Sequence, residues 1–111
     1  MNFDTDIKEK LKVTSFLKKI EKFNENNLII TPHAMFRLNE KQRKIYQDTI
    51  LKKILFTEKP LEVGVQFNGC LALIYNYGLS ILKMVVDLKI DKLYIVTFYI
   101  LNKEQRGEIL R

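Results

Sequence analysis

The chain has 111 residues, a size that fits one domain with one hydrophobic core. Its hydrophobic fraction of 47% is typical of a globular rather than a disordered protein, and its single cysteine, Cys70, excludes an internal disulfide. The formal net charge is +6, and most of the excess lies in residues 1–60, which carry 13 Lys/Arg against 8 Asp/Glu. This distribution fits either a polyanion-binding face or a lysine-rich surface that is simply solvated.

The first twelve residues, Met1–Lys12, lack the apolar core of a signal peptide, and no apolar stretch reaches the length of a membrane span. Cysteine-poor chains of this kind fit a reducing compartment. We therefore expect a soluble, cytoplasmic protein that does not bind a membrane. Cys/His clusters, Gly-rich phosphate loops and dinucleotide fingerprints are missing from the sequence, so we expect neither a metal site nor a cofactor.

The N-terminal segment, residues 1–27, carries apolar residues at helical spacing from about Asp4 to Phe23, with lysines on the other faces. Asp4 or Thr5 suits the N-cap, and Asn24–Asn27 ends the pattern. The pattern predicts an amphipathic helix of about five turns. Its apolar stripe packs on the chain's own core or on a partner, and in the second case we expect a homodimer formed through this helix.

Leu28–Ile30 is a short β-type stretch followed by a Thr-Pro-His-Ala-Met-Phe-Arg motif. Thr31 suits a helix N-cap, and Pro32 suits the first helical position, where its missing N–H costs nothing. The motif therefore predicts a short helix. His33 and Arg37 are four residues apart and would share one face of it.

A second helix is expected from near Tyr46, after the polar stretch Asn39–Lys44, which is unsuited to a buried helix. Its buried stripe consists of Ile50, Leu51, Ile54 and Leu55. The helix ends at Thr57–Pro60, because the residue before a proline is disfavoured in the helical region.

From Leu61 the apolar period shifts toward two, which predicts strands. The expected strands are Leu61–Phe67, Cys70–Tyr77, Ile81–Leu88 and Leu93–Leu101. Asn68-Gly69 predicts a type I′ hairpin turn, Gly64 a bulge, and Gly78 a second turn. The tail, Asn102–Arg111, is expected either to form a short helix or to fray.

Helices that precede a run of strands predict an α+β fold. We expect the N-terminal helices to pack on one face of a four-stranded, or five-stranded, antiparallel sheet. The chain is expected to form a single domain over residues 1–111.

His33, the only histidine, is the first catalytic candidate. Histidine is the side chain that exchanges a proton near neutral pH, and an arginine beside it can hold a phosphate and stabilise transition-state charge. The alternative is structural: the imidazole bonds a carbonyl, and Arg37 pairs with a carboxylate.

Strand alternation predicts a second group of polar side chains on the sheet. Lys83 faces one side of its strand, Thr97 and Tyr99 share one face of the last strand, and Tyr75 lies on the strand after the Asn-Gly turn. A face of this kind would cradle a nucleotide, with a base stacked on a ring and lysine on phosphate. Ordinary cross-strand packing of Thr and Tyr is the alternative.

Three stretches, residues 30–38, 59–61 and 93–99, together resemble a family of small toxin-like domains grouped with the RelE/BrnT/colicin D-like ribonucleases. The family pattern is a short strand, a helix opened by His-Ala with an arginine four residues after the histidine, a second helix ending near a proline, and a sheet that closes on a Val-Thr-hydrophobic-Tyr strand. The resemblance covers residues 28–101. It departs at 39–43, where the family's usual Arg-Gly is replaced by Asn-Glu-Lys-Gln-Arg.

The resemblance implies a RelE-like fold and a metal-independent endoribonuclease of a toxin–antitoxin system, with RNA as substrate and an antitoxin protein as partner. A general base deprotonates the ribose 2′-OH, which attacks the adjacent phosphate, and cations stabilise the pentavalent state. His33 and Arg37 match the His-Ala-x-x-Arg element, whereas Thr97 and Tyr99 match the closing strand.

Lys83 joins this set from its position on the sheet face rather than from the resemblance. The expected catalytic residues are His33, Arg37, Lys83 and Tyr99. The expected RNA-binding residues are Arg43, Lys44, Tyr75 and Thr97. Two alternatives remain: a non-catalytic RNA-binding module and a protein-interaction module of the same fold.

Overall fold

The computed structural model describes residues 7–101, which form a six-stranded mixed sheet and three α-helices. The strands are β1 (Ile7–Leu11), β2 (Leu28–Ile30), β3 (Glu62–Gln66), β4 (Leu71–Tyr77), β5 (Ser80–Leu88) and β6 (Leu93–Ile100). The helices are α1 (Val13–Ile20), α2 (Glu40–Ile45) and α3 (Asp48–Thr57). The expected N-caps Asp4 and Thr5 and the expected C-terminal helix at 102–111 lie outside the described residues.

The strand order in the sheet is β1-β3-β4-β5-β6-β2. β3 to β6 form the predicted antiparallel meander, β1 adds to one edge in antiparallel orientation, and β2 adds to the other edge parallel to β6. The α+β class is therefore confirmed. The expectation of a purely antiparallel sheet of four or five strands is wrong, because β1, before α1, and β2, after α1, each add an edge strand and β2 pairs in parallel.

The main core lies on one face of the sheet, where α1 and α3 pack on the central strands. Its fully buried side chains, at 0% exposure, include Phe16, Leu51, Leu73, Met84 and Phe98. Full burial of one such side chain is worth about 1.5–3 kcal/mol relative to its exposure. Tyr46, at the break between α2 and α3, joins this core with its ring centroid 5.3 Å from that of Phe98. The expected α3 stripe is confirmed, because Leu51, Ile54 and Leu55 are buried and Ile50 is half-buried against the same core.

The prediction of a long N-terminal helix is wrong for Ile7–Leu11, because these residues form strand β1. Ile7 and Leu11 have helical spacing, but the unpaired backbone of β3 offers this stretch a ladder of hydrogen bonds. A Lys10–Glu62 ion pair spans the two strands. Pairing with a distant strand thus overrides the local pattern, and the helix is confined to Val13–Ile20.

The apolar stripe of α1 packs on the chain's own core, with Phe16 fully buried and Ile20 nearly so. Leu17 and Val13 are half-buried against the same cluster. The apolar stripe on which the expected homodimer was based is therefore covered by the chain's own core.

The two hairpins form as predicted, but their details differ. The β3–β4 loop is closed by bonds from Gly69 N to Gln66 O (2.9 Å) and from Gln66 N to Cys70 O (2.8 Å). Gly69 has a φ of 90°, and no described non-glycine residue has a positive φ, so the type I′ prediction is wrong. A three-residue loop with glycine in the left-handed position accounts for this geometry. The second turn forms at Gly78 as predicted, and Gly78 has a φ of 62° there.

The expected bulge at Gly64 is also wrong, because β3 and β4 pair there without a shift in register. Gly64 instead leaves room for Ile7, whose Cδ1 and Cγ2 would lie 2.8 and 2.9 Å from an added Cβ. A bulge occurs in β6, where Val85 pairs with Thr97 and Val86 with Ile95. Val96 is therefore the extra residue, and the strand changes phase at this point.

Candidate functional site

The segment Thr31–Leu38, which we call the histidine turn, leaves the end of β2 and runs beside β6. It forms consecutive turns rather than the predicted helix. The turns are closed by bonds from Ala34 N to Thr31 O, from Phe36 N to His33 O and from Leu38 N to Met35 O, at 3.0, 3.0 and 3.1 Å. These bonds each span three residues, as in a tight turn, instead of the four residues of an α-helix.

Contacts with β6 explain why the helix does not form. The carbonyl of Ala34 would accept from the Leu38 amide in an α-helix, but here it accepts from Phe98 N at 2.7 Å. The Thr31 hydroxyl, expected to cap a helix, instead donates to the Val96 carbonyl at 3.3 Å. Ala34 and Leu38 are buried, so the histidine turn is fixed to the sheet at both points.

An open concavity of about 460 Å³ lies between the histidine turn and β6. It is lined by His33, Phe36, Arg37, Val96 and Thr97. This volume falls within the range of small-ligand sites, about 300–1,000 Å³. No acidic side chain belongs to the described residues that line it. The structure thus brings together three of the residues expected from the sequence, namely His33, Arg37 and Thr97.

Arg37 stacks on the next polar residue of β6. Its guanidinium carbon lies 4.6 Å from the ring centroid of Tyr99. A cation over an aromatic face is attracted by the negative charge of the ring, which favours one position of the guanidinium. The side chains of His33 and Arg37 are exposed, and neither has a hydrogen bond or ion pair with another residue in the described range. Both are therefore available to an incoming anion.

Lys83 lies opposite Tyr99 across the β5–β6 ladder, as the predicted sheet face requires. Its Nζ is 5.7 Å from the Tyr99 ring centroid, so the ring is near two cations. Lys83 is only 3% exposed, however, and does not line the concavity. The structure therefore places Lys83 beside Tyr99 on the sheet but outside the lining of the concavity.

Arg43, expected to bind RNA, braces the histidine turn. Its Nε donates to the Met35 carbonyl at 3.3 Å and its Nη2 to the Phe36 carbonyl at 3.5 Å. The neighbouring Lys44 is exposed but does not line the concavity. The guanidinium of Arg43 thus supports the backbone that carries the candidate residues.

The helix that positions Arg43, α2, lies in the polar stretch that was expected to be unsuited to a buried helix. A capping box starts it: Asn39 Oδ1 accepts from Gln42 N at 2.8 Å, and Gln42 Oε1 accepts from Asn39 N at 3.0 Å. The Asn-x-x-Gln spacing at 39–42 was a readable helix-start signal. None of the helix residues is buried, which is why the apolar pattern could not reveal it.

Tyr75, the fourth expected RNA-binding residue, lies on the opposite face of the sheet from Lys83. It pairs with Leu82 and is 1% exposed in the main core, so the structure does not bring it to the concavity. Its hydroxyl has no hydrogen-bond partner within the described part of the chain. Burial, with a smaller effect from the Glu58 carboxylate, raises the pKa of Tyr75 well above its usual value.

Phe36, like Val96, is a lining residue that sequence reasoning missed. Its ring is 75% exposed at the concavity. The signal was present in the motif, because Ala34 and Leu38, four residues apart, take the inward positions and leave Phe36 outside. Several other large apolar side chains are as exposed, Phe67 among them, so exposure alone does not mark Phe36. Its place in the lining of the same concavity as His33 and Arg37 makes it a candidate binding residue.

Other chemistries find less support in residues 7–101. Burial, together with the Asp87 carboxylate, raises the pKa of the Cys70 thiol, which disfavours the nucleophilic thiolate. In this part of the chain, no group of three or more His, Cys, Asp or Glu side chains is placed to hold a metal ion. Nor does any helix there have the length and apolar character needed to cross a membrane.

A second open concavity, of about 400 Å³, is lined by several of the basic side chains. It is lined by Lys19 and Lys22 of α1 and by Leu88, Lys89 and Ile90. Lys89 Nζ is paired with Asp87 Oδ2 at 3.3 Å. No histidine lies there, so this surface offers electrostatic attraction without acid–base chemistry.

The concavity at the histidine turn can therefore bind an anion and exchange a proton beside it. His33 supplies the proton-exchanging group, Arg37 a guanidinium that can hold a phosphate by two hydrogen bonds, and Thr97 a hydroxyl. Comparison of the chain with protein-family models, with curated proteins and with solved structures finds no match, so these residues and their geometry carry the functional interpretation.

Proposed function

We propose that the protein is a metal-independent endoribonuclease that cleaves RNA at the concavity of the histidine turn. The observation that carries this proposal is that His33 and Arg37, both exposed, line one concavity with no acidic residue among its described lining. A polyanion fits this surface, and an imidazole beside its phosphate can act on the ribose hydroxyl. The excess of basic residues in the chain supports the same class of ligand.

In the proposed reaction, an imidazole nitrogen of His33 takes the proton of the ribose 2′-OH. The 2′-oxygen then forms a bond to the adjacent phosphorus, and the bond from phosphorus to the 5′-oxygen breaks. Arg37 stabilises the added charge on the phosphate oxygens. The departing 5′-oxygen takes a proton from water, which reaches the open concavity. The products are a 2′,3′-cyclic phosphate and a 5′-hydroxyl end.

The fold supports a RelE-like arrangement as part of the proposal. Residues 28–100 run as a short strand, a His-Ala-x-x-Arg segment, a helix ending before Pro60, and an antiparallel sheet closing on β6. One departure is that turns replace the helix expected after His33. A protein antitoxin belongs to the same proposal and rests on the resemblance. A cytoplasmic site of action is proposed with it and rests on the low cysteine content.

The test is cleavage of a labelled RNA by purified protein in the presence of EDTA. We expect products with cyclic phosphate ends, a loss of about 10²–10⁴-fold in rate for His33→Ala and of about 10²–10³-fold for Arg37→Ala. Lys53→Ala, at an exposed position of α3 outside the concavity, is the matched control and should cleave at the wild-type rate. Equal cleavage by wild type and both concavity variants would contradict the proposal. Arrest of growth on induction of wild type, but not of His33→Ala, tests the toxin role in cells.

A non-catalytic RNA-binding protein is the second candidate function. It is favoured by the presence of a single histidine in the concavity, since many ribonucleases of this mechanism use a separate acid and base. Salt-sensitive RNA binding by wild type, lost in Arg37→Ala, with no product under any condition, would support it.

A further inference from the structure

Phe36 lines the concavity with an exposed ring, although two neighbours in the same segment are buried. Its side chain is 75% exposed, whereas Ala34 and Leu38 in the same segment are 1% and 4% exposed. An exposed phenyl ring contributes little burial free energy to the folded protein. A ligand that covers the ring would gain that free energy on binding.

The backbone that carries Phe36 is held on both sides. Its N–H donates to the His33 carbonyl at 3.0 Å, and its own carbonyl accepts from Arg43 Nη2 at 3.5 Å. The Ala34 carbonyl two residues earlier is bonded to β6 at Phe98. The ring is therefore offered from a braced segment, which limits the conformational entropy lost on binding.

We infer that Phe36 is a stacking platform for an unpaired nucleobase, and that the concavity accordingly selects single-stranded over double-stranded RNA. This inference rests on the proposed RNA-binding role of the same concavity. A planar ring beside the guanidinium of Arg37 can take a base on its face while its phosphate meets the cation. In a duplex the bases are already paired and stacked, so none is presented to the ring.

Charge favours a nucleic acid over an apolar partner at this position. The ring lies between His33 and Arg37 along the chain, and all three line the concavity without a described acidic neighbour. An apolar protein segment would have to desolvate the guanidinium without pairing it, which is costly. A nucleotide satisfies both the aromatic and the cationic parts of the surface.

The experiment measures binding of a short 2′-O-methyl oligoadenosine that contains one 2-aminopurine, whose fluorescence changes when the base stacks. The 2′-O-methyl group blocks the proposed cleavage, so the readout is independent of catalysis. The same oligomer annealed to its 2′-O-methyl complement is the double-stranded probe. Phe36→Leu keeps an apolar side chain without an aromatic face, and Phe36→Tyr keeps the face. Phe67→Leu is the matched control, because Phe67 is 74% exposed in the β3–β4 turn, outside the concavity.

We expect wild type, Phe36→Tyr and Phe67→Leu to bind the single strand with a fluorescence change and to bind the duplex more weakly. Phe36→Leu should lose affinity for the single strand by roughly 5- to 150-fold. Wild-type affinity in Phe36→Leu, or no binding of the single strand by wild type, would overturn the inference. If wild type binds with stacking but cleaves no RNA, only the nuclease proposal fails. If natural RNA is cleaved equally by wild type and Phe36→Leu with no fluorescence change, only the stacking inference fails.

Discussion

The guanidinium of Arg37 lies 4.6 Å above the ring of Tyr99, which connects the histidine turn to the last long strand of the sheet. The contact joins residues 62 positions apart, and it is formed only because the histidine turn follows the edge of β6. The contact also offers Tyr99 a second role. The ring can position the Arg37 cation, whereas the sequence interpretation placed Tyr99 among the catalytic residues.

A pair of substitutions at Tyr99 separates these roles. Tyr99→Phe keeps the stacking face and should retain RNA affinity and cleavage close to wild type. Tyr99→Leu removes the face and should lower RNA affinity by about two- to fivefold, the value expected for a half-exposed cation–π contact. Binding is measured by fluorescence anisotropy and cleavage by product formation. Loss of cleavage in Tyr99→Phe with binding intact would instead make the hydroxyl a proton donor.

Tyr75 predicts a pH-dependent effect on stability, measured as the denaturant midpoint. Because burial raises the pKa of Tyr75 in the folded chain, the unfolded chain releases this proton first, from about pH 10 upward. The contribution of the protonated Tyr75 to the free energy of unfolding is therefore fully present below about pH 10 and is lost as the pH rises further. Tyr75→Phe should unfold less readily than wild type at high pH. At neutral pH it should be equal or more stable by up to about 1 kcal/mol, because the buried hydroxyl has no described partner. Tyr94→Phe, at a half-buried position of β6, is the control; a parallel pH response of Tyr75→Phe and wild type would contradict the prediction.

Gly64 and Ile7 predict an energetic coupling between β3 and β1. A methyl group at Gly64 would lie 2.8 Å from Ile7 Cδ1, so Gly64→Ala should cost about 1–3 kcal/mol by overpacking. In an Ile7→Ala background the space is open, and the cost of the same substitution should fall by at least half. A double-mutant cycle of denaturant unfolding measures this coupling. Additive effects of the two substitutions would show that Ile7 does not fill the space above Gly64.

The periodicity of apolar residues was sufficient to predict the helices and strands whose buried faces follow that periodicity. The helix that ends before Pro60 and the four strands after it were predicted, because Leu51, Ile54 and Leu55 keep a helical spacing and the later strands alternate. The Asn-Gly and Gly78 turns were placed correctly for a similar reason, since glycine marks positive φ. The closing strand was found, but its change of phase at Val96 was not, because the β-forming residues continue through the bulge without a break.

The elements that were missed depend on backbone partners distant in sequence. Ile7–Leu11 has helical spacing but pairs with β3, and the histidine turn has helix-start residues but gives the Ala34 carbonyl to Phe98. Local propensity cannot reveal either hydrogen bond. The candidate site was predicted in part, since spacing brought His33 and Arg37 together. The aromatic face of Phe36 required knowledge of which side of the segment is buried.

Arg43 and Arg37 differ in role, and their substitutions should differ in salt dependence. Arg37→Ala removes a proposed phosphate contact. The slope of log affinity for single-stranded RNA against log salt, which is negative, should therefore become less steep by about 0.7. Arg43→Ala should leave this slope unchanged, because its guanidinium bonds the Met35 and Phe36 carbonyls instead. It should nevertheless speed hydrogen exchange at the Phe36 and Leu38 amides, whose turn bonds Arg43 braces. Lys44→Ala, at the adjacent exposed position, controls for the loss of one positive charge. A reduced slope in Arg43→Ala, with unchanged exchange, would return Arg43 to the RNA-binding residues.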